Sequence, residues 1–197
     1  GSGAGEIIAK AKSLTTKHDL SIGIGGAVDA VLATGVEASE IALVSISTTL
    51  ATNALVEGHG GRVCLILIGF DQGALDRGGL GTALGTDPVV FVAGGHSATG
   101  ERQAPLDRKQ LQHALKQHAE HVQSFAVVAH FGTRDPVDEI AARDLIRETT
   151  GLPVTCGHEL ATALGGPKRA VTTVLNARLI GMISDLIRAT EAIVQGR

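Results

Sequence analysis

The sequence predicts an α/β protein with three layers, in which helices flank both faces of a largely parallel sheet. Short apolar runs alternate with helical patterns along the chain, and repeated strand–helix units build parallel sheets. Hydrophobic residues make up 44% of the composition and aromatic residues only 2%, which indicates a core of Ala, Val, Leu and Ile. A length of 197 residues is sufficient to bury such a core without a metal or a disulfide.

The individual elements are predicted from hydrophobic periodicity and from the residues that begin or end helices. The predicted strands are residues 41–46, 62–68, 89–92, 124–129 and 152–155. The predicted helices are residues 20–36, residues 47–57, a helix that Asp107 caps, residues 137–149 between Asp135-Pro136 and Gly151, and residues 167–194. Residues 69–87 are rich in glycine and lack regular periodicity, so they are predicted to form a mobile or functional loop.

Three regions are expected along the chain. The opening Gly-Ser-Gly without Met is typical of an expression-vector remnant, so residues 1–5 are expected to be a tag remnant and a disordered start. Residues 6–166 are expected to form the α/β domain, and residues 167–197 a long helix that leads to a second lobe missing from this chain. That helix carries more apolar surface than a single stripe, and we therefore expect the chain to self-associate through it as a homo-oligomer.

Composition and charge exclude several classes of partner. A net charge of −3 gives no general attraction to nucleic acid or to an anionic membrane, and the chain lacks Trp and Tyr for base stacking. No apolar run approaches the roughly 20 residues of a membrane span, and no signal-peptide pattern is present. Cys64 and Cys156 do not resemble a disulfide framework, which indicates reduced thiols and a cytoplasmic location. Cys156 and His158 resemble only half of a metal site, so no metal is expected there.

A hydroxyl-rich turn joined to a helix is the most informative stretch of the sequence. Ser47 is a suitable N-cap, and at helical spacing Thr48 lies over Thr52 and Thr49 over Asn53. This polar face begins where unpaired backbone N–H groups and the positive end of the helix dipole favour an anion. The alternative is structural, since threonines commonly cap helices and an Asn one turn later is commonly a hydrogen-bonded amide.

Further candidate residues lie in loops and in the last helix. His130 directly follows a predicted strand, and sites in such sheets gather at the carboxyl ends of strands. His96 and Glu101 in a Gly-rich turn form a candidate base or ligand pair, although a single loop His is commonly just solvated. Thr172 and Asn176 are one turn apart in the last helix, where they form either a substrate contact or a hydrogen-bonded contact between helices.

Two blocks of sequence match a known pattern in both order and separation. Residues 44–62 read VSISTTLATNALVEGHGGR, and a second block joins GHEL at 157–160 to RAVTTVLNA at 169–177. Together they resemble the hydantoinase/oxoprolinase family, which comprises ATP-dependent cyclic amide hydrolases and related carboxylase subunits. The resemblance implies that the polar face from Thr48 to Asn53 is catalytic and that His158 and Glu159 are cleft residues.

The resemblance also implies a fold and an activity. The fold is that of the acetate kinase, sugar kinase, heat-shock-protein and actin superfamily, with two ribonuclease-H-like lobes around a nucleotide cleft. The activity is ATP-dependent activation and hydrolysis of a cyclic amide such as hydantoin, 5-oxoproline or a related lactam. ATP with Mg²⁺ is the implied cofactor, and a B-type hydrolase subunit is the implied partner. Such chemistry requires phosphates to be positioned by hydroxyl and amide donors more than by covalent groups.

Three departures from the family pattern limit this expectation. The acidic phosphate loop is absent, since Gly23-Ile24-Gly25-Gly26 lacks its acid and its Thr, and Ile46-Ser47 stands where the family often has His-Gly. The later lobe of the family is expected beyond Arg197. The chain is therefore expected to be an N-terminal-region fragment that does not hydrolyse ATP by itself. The alternative is a non-catalytic binding or subunit-assembly module of a multi-subunit hydrolase or carboxylase.

Overall fold

The computed structural model describes residues 7–14, 20–41, 60–162 and 164–195. These residues fall into two compact units. The first contains residues 7–14, 20–41 and 183–195, and the second contains residues 60–162 and 164–182. The predicted helix at 47–57, with Thr48, Thr49, Thr52 and Asn53, lies outside the described residues.

In the first unit, helix α1 spans Leu20–Leu32 and is followed by a turn. Gly35 donates its backbone N–H to the carbonyl of Leu32, and its φ of 95° is a left-handed conformation that suits glycine. The helix therefore ends before the predicted residue 36. Ile41 has no regular structure, and residues 42–46 of the predicted first strand lie outside the described residues.

The second unit is built on a four-stranded parallel sheet. Its strands are β1 (Val63–Ile68), β2 (Val89–Val92), β3 (Ser124–Ala129) and β4 (Val154–Cys156), in the spatial order β2-β1-β3-β4. Every residue of β1 and β3 is buried, as expected for strands at the centre of a covered parallel sheet. Strand β4 begins later than predicted because Pro153 has no N–H for the ladder, although its carbonyl accepts from the Phe125 amide at 2.9 Å.

Helices cover both faces of the sheet, which confirms the predicted three-layer α/β fold. They are α2 (Leu80–Leu84), α3 (Arg108–His118), α4 (Val137–Thr150), α5 (Gly157–Leu160) and α6 (Gly166–Gln195). One apolar core lies between the sheet and the pair α3 and α4, with Leu111, Leu115, Leu145 and Ile146. The other lies between the sheet and helices α2 and α6, with Leu80, Leu84, Ala170, Val174 and Ala177.

Three predicted helix-end signals are found where expected. The Asp107 carboxylate accepts from the Gln110 amide at 2.9 Å at the start of α3. The Asp135 carboxylate accepts from the Val137 amide at 3.0 Å at the start of α4, and Gly151 ends that helix with a φ of 69°. Among the helices described, none combines the length and the hydropathy that crossing a bilayer requires.

The glycine-rich stretch at 69–87 is partly helical, so the prediction of a loop is wrong, whereas its functional role stays a prediction. It contains a 3₁₀ turn at Gln72–Ala74 and helix α2, and Ala74, Leu80 and Leu84 are buried in the core beneath α6. Arg178 of α6 donates to the Asp87 carboxylate at 2.7 Å and to the Leu84 carbonyl at 3.0 Å. Long-range packing against α6, which local periodicity does not reveal, orders this segment.

Candidate functional site

The strand order places a switch point at the carboxyl ends of β1 and β3. From β1 the chain continues to β2 on one side, whereas from β3 it continues to β4 on the other side. The loops that leave these two neighbouring strands diverge, and open α/β sheets bind ligands at such a switch point. Gly69 and Phe70 directly follow β1, and His130 and Phe131 directly follow β3. The helices α4, α5 and α6 begin near the same end of the sheet.

A fully buried glutamate connects three of these elements. Glu139, in the first turn of α4, has an exposed fraction of 0%. Its Oε1 accepts from the backbone N–H of Ala129 at 2.8 Å, and its Oε2 accepts from the backbone N–H of His158 at 2.9 Å. The same Oε2 lies 2.6 Å from Nδ1 of His158. A buried carboxylate bonded to one ring nitrogen fixes the orientation of an imidazole and leaves Nε2 for a ligand.

Two neighbours complete the surroundings of Glu139. A Cβ at Gly132 would lie 2.4 Å from Oε1 of Glu139, so only glycine leaves room for the carboxylate. Arg169 of α6 is 2% exposed and donates from Nη2 to the Ala129 carbonyl at 2.8 Å. Burial lowers the pKa of Arg169 and the charge of Glu139 opposes that shift, but a guanidinium stays charged in proteins. The Arg169 guanidinium therefore places one positive charge near the buried glutamate.

Glu139, Cys156 and His158 place potential metal-ligand atoms within 4.8 Å of one another. Two of these three side chains, Glu139 and His158, contact each other through Oε2 and Nδ1. Both oxygens of Glu139 already accept hydrogen bonds, and burial, with a contribution from the charge of Glu139, raises the pKa of the Cys156 thiol to about 12. In the structure these side chains thus form a hydrogen-bonded carboxylate–imidazole pair beside a protonated thiol.

A second buried carboxylate holds the loop that follows β2. Asp138 is 0% exposed, and its Oδ2 accepts from the backbone N–H of Gly95 at 2.8 Å. Its Oδ1 forms a 2.5 Å ion pair with Nη2 of Arg102, whose side chain is half exposed. Asp138 thus attaches both arms of the loop to the start of α4.

The same loop carries His96 and Glu101, which the structure separates. His96 is 2% exposed, with Nε2 3.3 Å from the Asp135 carboxylate. Glu101 is exposed, and its backbone exchanges hydrogen bonds with Ser97. In the described residues His96 therefore pairs with Asp135, whereas the sequence predicted a pair with Glu101.

The other predicted cleft residues lie apart from the buried network. Glu159 is exposed and contacts Arg143, with 3.3 Å between Oε1 and Nη1. Thr172 is also exposed, and its hydroxyl donates to the Lys168 carbonyl of its own helix at 3.4 Å. Asn176 is half-buried. Of the predicted residues in the two matched blocks that the structure describes, His158 alone contacts Glu139.

His130 lies at the switch point, between two phenylalanines. Its backbone N–H donates to Ile68 of β1 at 2.8 Å, and its carbonyl accepts from the His96 amide at 3.1 Å. The ring centroid of His130 is 5.1 Å from that of Phe70 and 4.5 Å from that of Phe131. These contacts place an imidazole at the switch point itself.

Sequence reasoning missed Asp138 and Glu139. They occupy the first turn of α4, where acidic residues commonly complement the helix dipole from an exposed position. Their burial depends on α4 crossing the carboxyl end of β3, which local sequence does not encode. Asp135-Pro136 fixes where α4 begins, and this was the signal in the sequence that could have located both acidic residues in its first turn.

The chain is similar to a known protein family and to parts of three longer proteins. Residues 2–150 match the family model described as the hydantoinase/oxoprolinase N-terminal region. The chain is 28% identical to the acetophenone carboxylase gamma subunit of Aromatoleum aromaticum. The match extends over 213 residues and covers 91% of this chain and 29% of that protein. It resembles the crystal structure of an ATP-dependent caprolactamase from Pseudomonas jessenii with a TM-score of 0.69 and 27% identity, over 94% of this chain and 30% of the other.

A nucleotide-free structure of acetone carboxylase is similar in fold alone. Its TM-score is 0.64 at 19% identity, over 93% of this chain and 30% of that one. The chain thus spans less than a third of the length of each of these three relatives.

Proposed function

The chain belongs to the hydantoinase/oxoprolinase N-terminal region family, and from this we propose that it is part of an ATP-dependent hydrolase of cyclic amides. The observation that carries the proposal is its likeness to the ATP-dependent caprolactamase over 94% of the chain. Caprolactam is a cyclic amide, and hydantoin and 5-oxoproline share its ring C–N bond. The buried Glu139–His158 pair supports hydrolysis, because breaking that bond requires proton transfer.

In this proposal, His158 transfers the proton and Glu139 positions it. Water adds to the activated carbonyl carbon and gives a proton to Nε2 of His158. The ring C–N bond then breaks, and the leaving nitrogen takes the proton from the same nitrogen of the imidazole. Glu139 keeps Nδ1 engaged throughout, since it lies 2.6 Å away.

The backbone amides around the two buried carboxylates do not fit the phosphates of ATP. The amides of Gly95, Ala129 and His158 already donate to Asp138 and Glu139. A phosphate there would meet two buried carboxylates in place of free N–H groups. We therefore assign ATP and Mg²⁺ to the segment from Thr48 to Asn53 and to the further length that the relatives have, and we expect this chain alone not to hydrolyse ATP.

A carboxylase subunit is the second candidate function. The acetophenone carboxylase gamma subunit, 28% identical to this chain, favours it. In either case we propose a cytoplasmic enzyme with a partner subunit. Ile183 and Ile187, one turn apart in α6, are 39% and 49% exposed and offer apolar area for such a partner or for a second copy of the chain. A purely structural assembly role would use this surface without the His158 site.

The test is ATP turnover by the full-length protein with its partner subunit. Caprolactam, hydantoin and 5-oxoproline are one set of substrates, and acetophenone with bicarbonate is the other. We expect lactam-dependent turnover, which His158→Gln lowers about 100-fold while the exposed control His113→Gln leaves it unchanged. Turnover with the ketone alone would establish the carboxylase. Absent turnover with intact subunit assembly would favour the assembly module.

A further inference from the structure

Arg169 and Glu139 bind the two backbone polar groups of a single residue at the end of β3. Strand β4 pairs with β3 only as far as Val127, and the Phe125 amide donates to Pro153 directly before β4 at 2.9 Å. Since alternate residues of a strand direct their backbone groups to the same side, Ala129 also faces the β4 side. Its N–H donates to Oε1 of Glu139 and its carbonyl accepts from Nη2 of Arg169, both at 2.8 Å. The two side chains thus take the place of a strand partner.

A second contact brings Arg169 to the residue before His158. A Cβ at Gly157 would lie 3.1 Å from Nε of Arg169, so the guanidinium group lies directly beside the start of α5. Glu139 binds the same start, because its Oε2 accepts from the His158 amide at 2.9 Å and lies 2.6 Å from Nδ1. The contacts form a closed cycle through Arg169, Ala129, Glu139, His158 and Gly157.

Both charges of this cycle are buried. Glu139 is 0% exposed and Arg169 is 2% exposed. A buried carboxylate is costly unless an opposite charge and hydrogen bonds compensate it. Arg143, one turn after Glu139 in α4, instead contacts the exposed Asp144 at 2.9 Å and the exposed Glu159 at 3.3 Å. The guanidinium of Arg169 is therefore the cation that balances Glu139.

We propose that Arg169 is a positioning residue for His158, because its buried cation keeps Glu139 a carboxylate and thereby keeps the imidazole proton on Nδ1 and Nε2 open. Its part in the reaction rests on the proposed function. An ionised carboxylate has no proton to donate, so the 2.6 Å contact requires the imidazole to donate from Nδ1. Without the cation, burial favours the neutral carboxyl group, whose own proton turns Nδ1 into an acceptor and moves the imidazole proton to Nε2.

The direct test is NMR of the histidine-labelled chain at pH 7. The His158 signals are assigned by their loss in His158→Gln. Arg169→Met and Arg169→Lys both replace the guanidinium with an unbranched side chain, and only the second keeps the charge. We expect a strongly deshielded Nδ1–H proton in the wild type and in Arg169→Lys, and its loss in Arg169→Met.

Arg134→Met is the control, because Arg134 is exposed in the turn after β3 and its loss is expected to leave the Nδ1–H signal unchanged. An imidazole proton on Nε2 of His158 in the wild type would overturn the proposal. A signal in Arg169→Met equal to that of the wild type would overturn it as well.

A double-variant cycle covers the case in which Arg169→Met does not fold. Glu139→Gln removes the charge that Arg169→Met leaves buried without compensation. We therefore expect the double variant to resist urea better than the sum of the two single losses predicts, including recovery of folding where Arg169→Met is unfolded. Additive losses, or a double variant that stays unfolded beside an unfolded Arg169→Met, would contradict the charge compensation.

The full-length enzyme provides a kinetic readout. A positioning residue acts on proton transfer, so kcat is expected to fall about tenfold in Arg169→Met with little change in KM, and Arg169→Lys is expected to retain most of kcat. The NMR signal is read without turnover, which separates the two proposals. The expected signals without lactam turnover by the wild-type enzyme reject the proposed function alone. Lactam turnover with an unchanged signal in Arg169→Met rejects this inference alone.

Discussion

Oε2 of Glu139 lies 2.6 Å from Nδ1 of His158, which joins the first turn of α4 to the start of α5. The same carboxylate accepts the Ala129 amide at the end of β3. A single buried side chain thus fixes both the end of a central strand and the direction of an imidazole. Substitution of Glu139 is therefore expected to affect the fold and the orientation of His158 together.

Glu139→Gln is expected to destabilise the fold and to reduce catalysis. A neutral amide offers one acceptor oxygen where the carboxylate offers two, so one of the three N–H partners loses its bond at a cost of about 1–3 kcal/mol. Urea unfolding measures this cost. Glu148→Gln, on the exposed side of the same helix, is the control and is expected to change stability by less than about 0.5 kcal/mol. Equal stability of the two variants would contradict the assigned role.

Gly132→Ala is expected to displace Glu139. The added Cβ would lie 2.4 Å from Oε1, so the carboxylate or the backbone must move, at a cost of about 1–3 kcal/mol. Gly165→Ala is the matched control, because a Cβ at Gly165 has nothing within 4 Å. The urea midpoints of both variants provide the measurement. If Gly132→Ala unfolds at the wild-type midpoint, the site accommodates a Cβ at residue 132 and the claim that only glycine fits there is wrong.

Asp138→Ala is expected to release the loop after β2 more than Arg102→Ala does. Loss of the carboxylate leaves the buried Gly95 N–H unpaired at about 1–3 kcal/mol, whereas the half-exposed Arg102 contributes about 1 kcal/mol or less. Hydrogen exchange of the Gly95 amide reports this directly. It should accelerate strongly in Asp138→Ala and only slightly in Arg102→Ala. The reverse order would show that the ion pair, and not the amide bond, holds the loop.

Stability is expected to fall as the pH rises from about 9 to about 12. Burial raises the pKa of both thiols to about 12, with further contributions from the charge of Asp87 at Cys64 and of Glu139 at Cys156. The ordinary pKa of a thiol is 9.0, and below that pH both the folded and the unfolded chain keep their thiol protons. Above that pH only the unfolded chain releases them, so unfolding is favoured. Urea midpoints between pH 8 and 11 should therefore decline less in the Cys64→Ala/Cys156→Ala variant. Parallel declines would show that other groups cause the effect.

Local signals in the sequence predicted the elements that depend on local physics. The apolar runs of β2 and β3 have the predicted bounds, and Asp107 caps α3 as its position indicates. Predictions were wrong where distant contacts decide. The segment 69–87 is ordered by packing under α6. Its glycines conceal the spacing of the buried Ala74, Leu80 and Leu84, so local periodicity did not reveal this packing.

The candidate site also contains some residues that the sequence indicated and others that only the structure revealed. His130 and His158 follow strands and are recognisable from that order alone. Glu139 was missed because an acidic residue in a first helical turn is commonly an exposed partner of the helix dipole. The pairing of His96 with Asp135 was missed because the nearer Glu101 is the obvious sequence neighbour, whereas the loop exposes Glu101 and buries His96.

By itself, the sequence determined the α/β class, the three-layer architecture and the resemblance to the family, because alternating apolar runs and short motifs are written in consecutive residues. Only the tertiary structure decided which polar groups are buried together. The bonds of Glu139 to Ala129 and His158, and of Asp138 to Gly95, join residues from different elements. Their geometry arises when the strands end side by side and α4 packs across them, since a buried carboxylate is stable only where several N–H donors converge on it.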